Sequence, residues 1–160
     1  RFIARCYKYL KRYEEAKMWF NKAINEAPYL RDAYVEMAFL EYELNNFSAV
    51  KKYCLLALNI KTHEKTYINE PFSFDYTIYD LLSISTFYLG EIDESLKWVD
   101  IAIKMEPNNK RLLNNKKLIL RSKKELRSKD YVRLFGGWFR PFNFFFQKRH
   151  IYVVFLTVFY

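Results

Sequence analysis

A chain of 160 residues has the length of one ordinary domain, and two cysteines and three glycines leave no material for a disulfide framework or a glycine-rich phosphate loop. Its formal net charge of +9 is unevenly placed. Residues 1–107 carry 14 Lys/Arg against 16 Asp/Glu and residues 108–160 carry 13 against 2, so the charge does not describe a chain-wide nucleic-acid surface.

The first predicted unit reads Ile3-Ala4-x-x-Tyr7, then Tyr13-x-x-Ala16-x-x-x-Phe20-x-x-Ala23, then Pro28. Residues 13, 16, 20, 23 and 27 make one apolar stripe at helical spacing, and Pro28 stops the second helix. The turn at Lys11-Arg12 contains neither glycine nor proline. The unit opens part-way through a helix, with no initiator Met and no signal-peptide pattern, so the chain reads as a fragment of a longer protein. The second unit opens at Arg31-Asp32, runs Tyr34-x-x-Met37-Ala38, and turns at Asn45-Asn46, where asparagine tolerates the left-handed conformation that ends a helix. Phe47, Val50, Cys54 and Ala57 form its second buried stripe, with Thr62 at the proline position. Cys54 takes the slot of Phe20 and is expected to be buried as a small hydrophobe. Nothing in the spacing argues for disulfides, so a reducing cytosol is the default expectation.

The third unit carries Tyr79-x-x-Leu82-Ser83, a helix-ending Gly90, the stripe Ile92, Ser95, Val99 and Ala102, and then Pro107. Between the second and third units lies an insertion at about residues 64–75, with Pro71 among Tyr67, Phe72 and Phe74. Insertions of this kind map to loops on one face of a repeat array, often the binding face. Asn108-Asn109 then caps a basic helix over residues 108–129, whose polar outer side suits the end of an array. Residues 130–160 form an aromatic and basic tail with no repeat logic: Gly136-Gly137, Trp138, Phe139, Phe142, and an apolar run from Ile151 to Tyr160. That run is about half of the roughly 20 residues a bilayer-spanning helix needs. An altered or out-of-frame end would give the same lack of pattern.

These units repeat. Ala23 and Ala57 are 34 residues apart, and Ala4/Ala38, Ala16/Val50 and Phe20/Cys54 keep the same step. The step from Ala57 to Ala102 is 45 because of the insertion. A helix–turn–helix period of 34 with small residues at the crossings resembles the tetratricopeptide repeat (TPR). The expected fold is all-α: a TPR-like helical-hairpin solenoid with repeats at about 1–29, 30–63 and 76–107, closed by a capping helix. The run Lys22-Ala23-Ile24-Asn25-Glu26-Ala27-Pro28, the insertion with Pro71, Tyr79-Asp80-Leu81-Leu82-Ser83, and Pro107-x-x-Lys110-Arg111-Leu112 also resemble the TPR region of bacterial and phage GT-A glycosyltransferases. That resemblance covers residues 1–120 and implies an accessory platform for docking the acceptor or a second copy. The family's catalytic motif positions are missing from this chain, so it transfers no catalytic residue and implies no cofactor here.

The residues contain no Asp-x-Asp pair, and His63 and His150 belong to no motif. Neither catalysis nor a metal is assigned, and no cofactor is expected. The first helix of each unit faces the concave side of a TPR array. This makes Asp32, Val35, Phe39 and Tyr42, with Thr77, Asp80, Ile84 and Phe87, the expected groove for a protein or peptide partner. Packing against neighbouring helices is the competing role for Phe39 and Phe87. The basic surface of Lys116, Lys117, Arg121 and Lys124 suits an anionic membrane surface better than nucleic acid, because an aromatic tail adjoins it. A charge run of this kind is, more ordinarily, a solvated face. A docking region of a glycosyltransferase, a free-standing peptide-binding adaptor and a membrane-surface attachment are the three expected roles.

Overall fold

The computed structural model describes residues 1–61 and 69–135, with side chains to residue 127. Among these residues the chain forms seven α-helices: α1 (Phe2–Tyr9), α2 (Tyr13–Glu26), α3 (Asp32–Glu43), α4 (Phe47–Asn59), α5 (Thr77–Tyr88), α6 (Ile92–Met105) and α7 (Lys110–Phe135). One 3-10 turn, Pro71–Ser73, precedes α5. The expectations for Thr62, His63, Tyr67 and the tail from Gly136 onward lie outside the described residues. The chain divides into two units, Arg1–Leu126 and Arg127–Tyr160.

The first unit is a stack of helical hairpins, with each helix from α1 to α6 packing on the next. The three hairpin turns share one construction. Lys11 (φ 57°), Asn45 (φ 56°) and Gly90 (φ 83°) occupy equivalent positions in the left-handed region. In each turn the left-handed residue donates to the carbonyl three back, and its successor donates to the carbonyl five back from itself. Examples are Asn46 N to Glu41 O at 2.9 Å and Glu91 N to Thr86 O at 2.9 Å. This closure satisfies carbonyls that the helix end leaves open. Lysine at position 11 accepts a conformation that glycine takes without penalty. Asn46 then caps α4 through its side chain, which accepts from Ala49 N at 3.4 Å.

Small residues let the paired helices cross closely. Ala4 faces Ala16 in the first hairpin and Ala38 faces Val50 in the second; all four are fully buried. In the third hairpin Ser83 and Ser95 replace the alanines, and Ser95 Oγ donates to Ser83 O at 2.8 Å, so the buried hydroxyl is satisfied. Hairpins join through larger side chains. Phe20 of α2 meets Met37 and Leu40 of α3. Cys54 and Ala57 of α4 meet Ile78, Leu81 and Leu82 of α5. Each such large side chain, fully buried, contributes about 1.5–3 kcal/mol of hydrophobic stabilisation. Ala23 departs from its repeat partners: Ala57 and Ala102 are fully buried, while Ala23 is partly exposed beside a cavity of about 110 Å³ that Ala27, Asp32, Ala33 and Asn69 also line.

The helix α7 starts where expected, with Asn109 Oδ1 accepting from Arg111 N at 3.1 Å and Leu112 N at 3.3 Å. It runs to Phe135, past the expected end at 129, and its buried side is Leu112, Asn115 and Ile119. Six of the residues assigned to the tail are therefore helical, because nothing in 130–135 breaks a helix before Gly136.

Candidate functional site

Side chains tie α1 to α3, and α5 to α7, across the first-helix positions of the array. Arg5 of α1 clamps Glu36 of α3, with Nε to Oε2 at 2.6 Å and Nη2 to Oε1 at 2.9 Å. Arg1 reaches Asp32 and Glu36, each at 3.1 Å. Lys8 pairs with Glu43 at 2.6 Å and sits over the Phe39 ring. Further along, Arg111 of α7 donates to Asp80 of α5 at 2.7 Å, and Asn115 Nδ2 donates to the other Asp80 oxygen at 3.4 Å.

Residues 69–74 of the insertion lie on this face. Asp32 accepts from the Glu70 backbone N–H at 2.6 Å, from Asn69 Nδ2 at 3.0 Å and from Ser73 Oγ at 3.1 Å. Glu70 in turn accepts from Arg5 Nη2 at 2.6 Å. Phe72 stands edge-on to Phe39, with ring centroids 5.2 Å apart, and Phe74 receives the Arg31 guanidinium. Beyond the Phe39–Phe72 pair, Tyr42, Phe47, Phe87 and Tyr88 form an aromatic cluster, in which Phe47 stacks on Tyr88 at 4.1 Å.

The structure therefore sorts the expected groove residues into three kinds. Val35 (0% exposed) and Ile84 (4%) are core side chains and present no surface. Asp32 (3%) and Asp80 (4%) are on the right face but buried, with their oxygens already engaged. Phe39, Tyr42, Thr77 and Phe87 are half-buried and keep some surface on this face. Phe39 and Tyr42 pack against the core as well, so packing and surface roles coexist in the same rings.

Burial dominates the electrostatics. It pushes the Asp80 carboxyl above its ordinary pKa, against the pull of Arg111 and Asn115. It also raises Glu36, against Arg5 and Arg1. Tyr42 is pushed up to about 12, chiefly by burial, with the charge of Tyr88 and Asp80 adding to it. Arg5 is held more firmly protonated, first by its hydrogen bond to Glu36.

The sequence reading missed the cations of this face. Stepping back 34 residues from Val35, Phe39 and Tyr42 lands on Arg1, Arg5 and Lys8. The same repeat register, applied to the first unit, would have found a basic edge. Arg111, which the sequence offers only as one residue of a basic helix, pairs with Asp80.

The basic surface is likewise divided. Lys116 pairs with Asp100 at 2.7 Å and Arg121 with Glu125 at 3.1 Å, while Lys123 turns to Asp93. Lys110, Lys117 and Lys124 recur every seventh residue on the exposed side of α7 and have no partner among the described residues. Leu113 and Leu120 stand exposed between them. No helix among the described residues is long and apolar enough to cross a membrane.

Comparison with known proteins agrees with this architecture. A tetratricopeptide-repeat family profile matches residues 2–29. No curated protein matches the chain. Among solved structures, the first TPR of Spaghetti (RPAP3) bound to the HSP90 peptide SRMEEVD is similar at 20% identity and a TM-score of 0.65, covering 78% of this chain and 90% of that one. The first TPR domain of human RPAP3 is similar at 21% identity and a TM-score of 0.62, covering 80% and 90%. Hairpin period, turn construction, small-residue crossings and structural neighbours converge on one architecture, and the fold of this chain is a helical solenoid of tetratricopeptide-repeat type.

Proposed function

We propose that the face shared by α1, α3 and α5 binds a peptide segment of a protein partner. The observation that carries this reading is the band of half-buried aromatics, Phe39, Tyr42, Phe87 and Tyr88, flanked by the cations of α1 on the face where residues 69–74 lie. Aromatic anchors beside fixed charges are what a groove offers an extended peptide. A structural neighbour of the same fold holds a peptide, which supports this mode of use. The test is selection of binding peptides from a displayed library on the full chain, followed by titration against Lys8→Glu and Phe87→Ala. Both variants should weaken binding at least tenfold at unchanged helicity. Selected peptides that bind both variants like the parent sink the reading.

The glycosyltransferase resemblance adds a context: this region serves as the accessory docking platform of such an enzyme. Its support is the order of the insertion and the flanking motifs. Coding sequence upstream of Arg1 that lacks a strand-rich domain with an Asp-x-Asp motif would remove it. A second reading, attachment to an anionic membrane surface, is favoured by Lys110, Lys117 and Lys124 interleaved with Leu113 and Leu120 on one exposed stripe.

A further inference from the structure

The connection from α2 to α3 spans residues 27–31 and that from α6 to α7 spans 106–109, whereas the connection from α4 to α5 spans 60–76. Helix–helix connections of two to eight residues are ordinary, and ones beyond about 12–15 residues usually carry a function. The described part of this long connection does not sit idle on the outside. Glu70 is in extended conformation (φ −97°, ψ 133°) and its backbone N–H is held by Asp32. Its carboxylate takes Arg5, and two residues later Phe72 takes Phe39. Arg5 and Phe39 occupy equivalent positions of successive repeats, 34 residues apart. A held backbone N–H and a charged anchor at Glu70, with an aromatic anchor on the 3-10 turn Pro71–Ser73 that follows, all set on first-helix positions, are contacts that a bound peptide would make, made here by the chain itself.

We propose that residues 69–74 are an internal stand-in for the partner, and that the external segment this face recognises carries a carboxylate followed two residues later by an aromatic side chain, as Glu70-Pro71-Phe72 does. The proposal rests on the peptide-binding reading and names the chemistry of its ligand. Arg5 supplies the charged pocket; Glu36 accepts from its Nε and Nη2 and fixes the plane of the guanidinium. Phe39 supplies the edge-to-face platform. Tethering gives the internal segment an effective concentration on the order of millimolar, so an external segment of equal quality competes poorly until the internal one is weakened.

The experiment uses the full chain and a fluorescein-labelled peptide with the sequence of residues 69–75, beside a control peptide with Gln and Ala replacing its Glu and Phe. Fluorescence anisotropy is read on the parent, on Glu70→Gln/Phe72→Ala and on the single Phe72→Ala, each checked by circular dichroism for unchanged helicity. The expected result is that the double variant binds the peptide at least tenfold more tightly than the parent does, prefers it at least tenfold over the control, and that the single variant falls between. Equal affinity of parent and variants, or equal binding of peptide and control, overturns the proposal. The library-selected peptides separate the two readings. If they bind the parent and lose affinity on Phe87→Ala while the residue 69–75 peptide binds no variant, the groove stands and the stand-in falls. If neither binds in a groove-dependent way, both fall.

Discussion

Replacing Arg111 by methionine should destabilise the chain at neutral pH and much less in acid. Asp80 is almost wholly buried, and its carboxylate has one cation, Arg111, and one weaker amide donor, Asn115 at 3.4 Å. Removing one partner of a fully buried pair costs about 3–5 kcal/mol. The side chain of Arg111 is 27% exposed, so water already screens part of this pair, and about 2–3 kcal/mol is the expected loss. Asp80 in the folded chain already titrates above its ordinary value because of burial. The folded state therefore holds this proton more tightly than the unfolded state, and the stability linked to it is greatest in acid and declines as pH rises through that window. Without Arg111 the folded carboxyl rises further, which deepens the loss at neutral pH and leaves the protonated state little affected. Urea denaturation of parent and variant, at about pH 7.5 and about pH 4.5, reads this difference; at neutral pH the midpoint should fall by roughly 0.7–3 M for slopes of about 1–3 kcal/mol/M. Comparing the two proteins at each pH cancels the other carboxylates. A loss of equal size at both pH values would refute the reasoning. So would a failure of Asp80→Asn, added to the variant, to recover stability at neutral pH.

Other outcomes follow from the same packing. Lys11→Gly should raise stability by about 0.5–1 kcal/mol in thermal melts and Gly90→Ala should lower it by about as much, since both sit in the left-handed region and an added Cβ at Gly90 meets nothing within 4 Å. In native protein, dithionitrobenzoate should titrate Cys6, which is exposed, and spare Cys54, whose burial pushes its thiol pKa up; Cys54 should react only on unfolding. Ala38→Leu should cost at least about 1–3 kcal/mol in denaturant melts, because Ala38 is fully buried where the paired helices cross. Lys117→Glu/Lys124→Glu should leave stability unchanged and lower co-sedimentation with phosphatidylserine vesicles; unchanged co-sedimentation removes the membrane-surface reading.

The period and the small-residue crossings were legible in the sequence because each is local. Ala4, Ala16, Ala38 and Ala57 sit where a 3.6-residue helix turns its side toward its neighbour, and Gly90 or Asn45 supplies the one conformation that ends a helix tightly. Burial of Cys54 followed from its slot alone. Even the missed cations Arg1, Arg5 and Lys8 were recoverable, since repeat register carries position from one unit to the next. What composition could not say is which charge meets which. Asp32 looks like an available groove carboxylate in sequence, yet a backbone N–H, an amide and a hydroxyl 37 to 41 residues away consume it. Arg111 looks like one more cation of a basic helix, yet it meets Asp80. Periodicity is set by helix geometry, which every residue reports locally. Ion pairs and the placement of residues 69–74 depend on how separate helices stack, and only the assembled fold decides them.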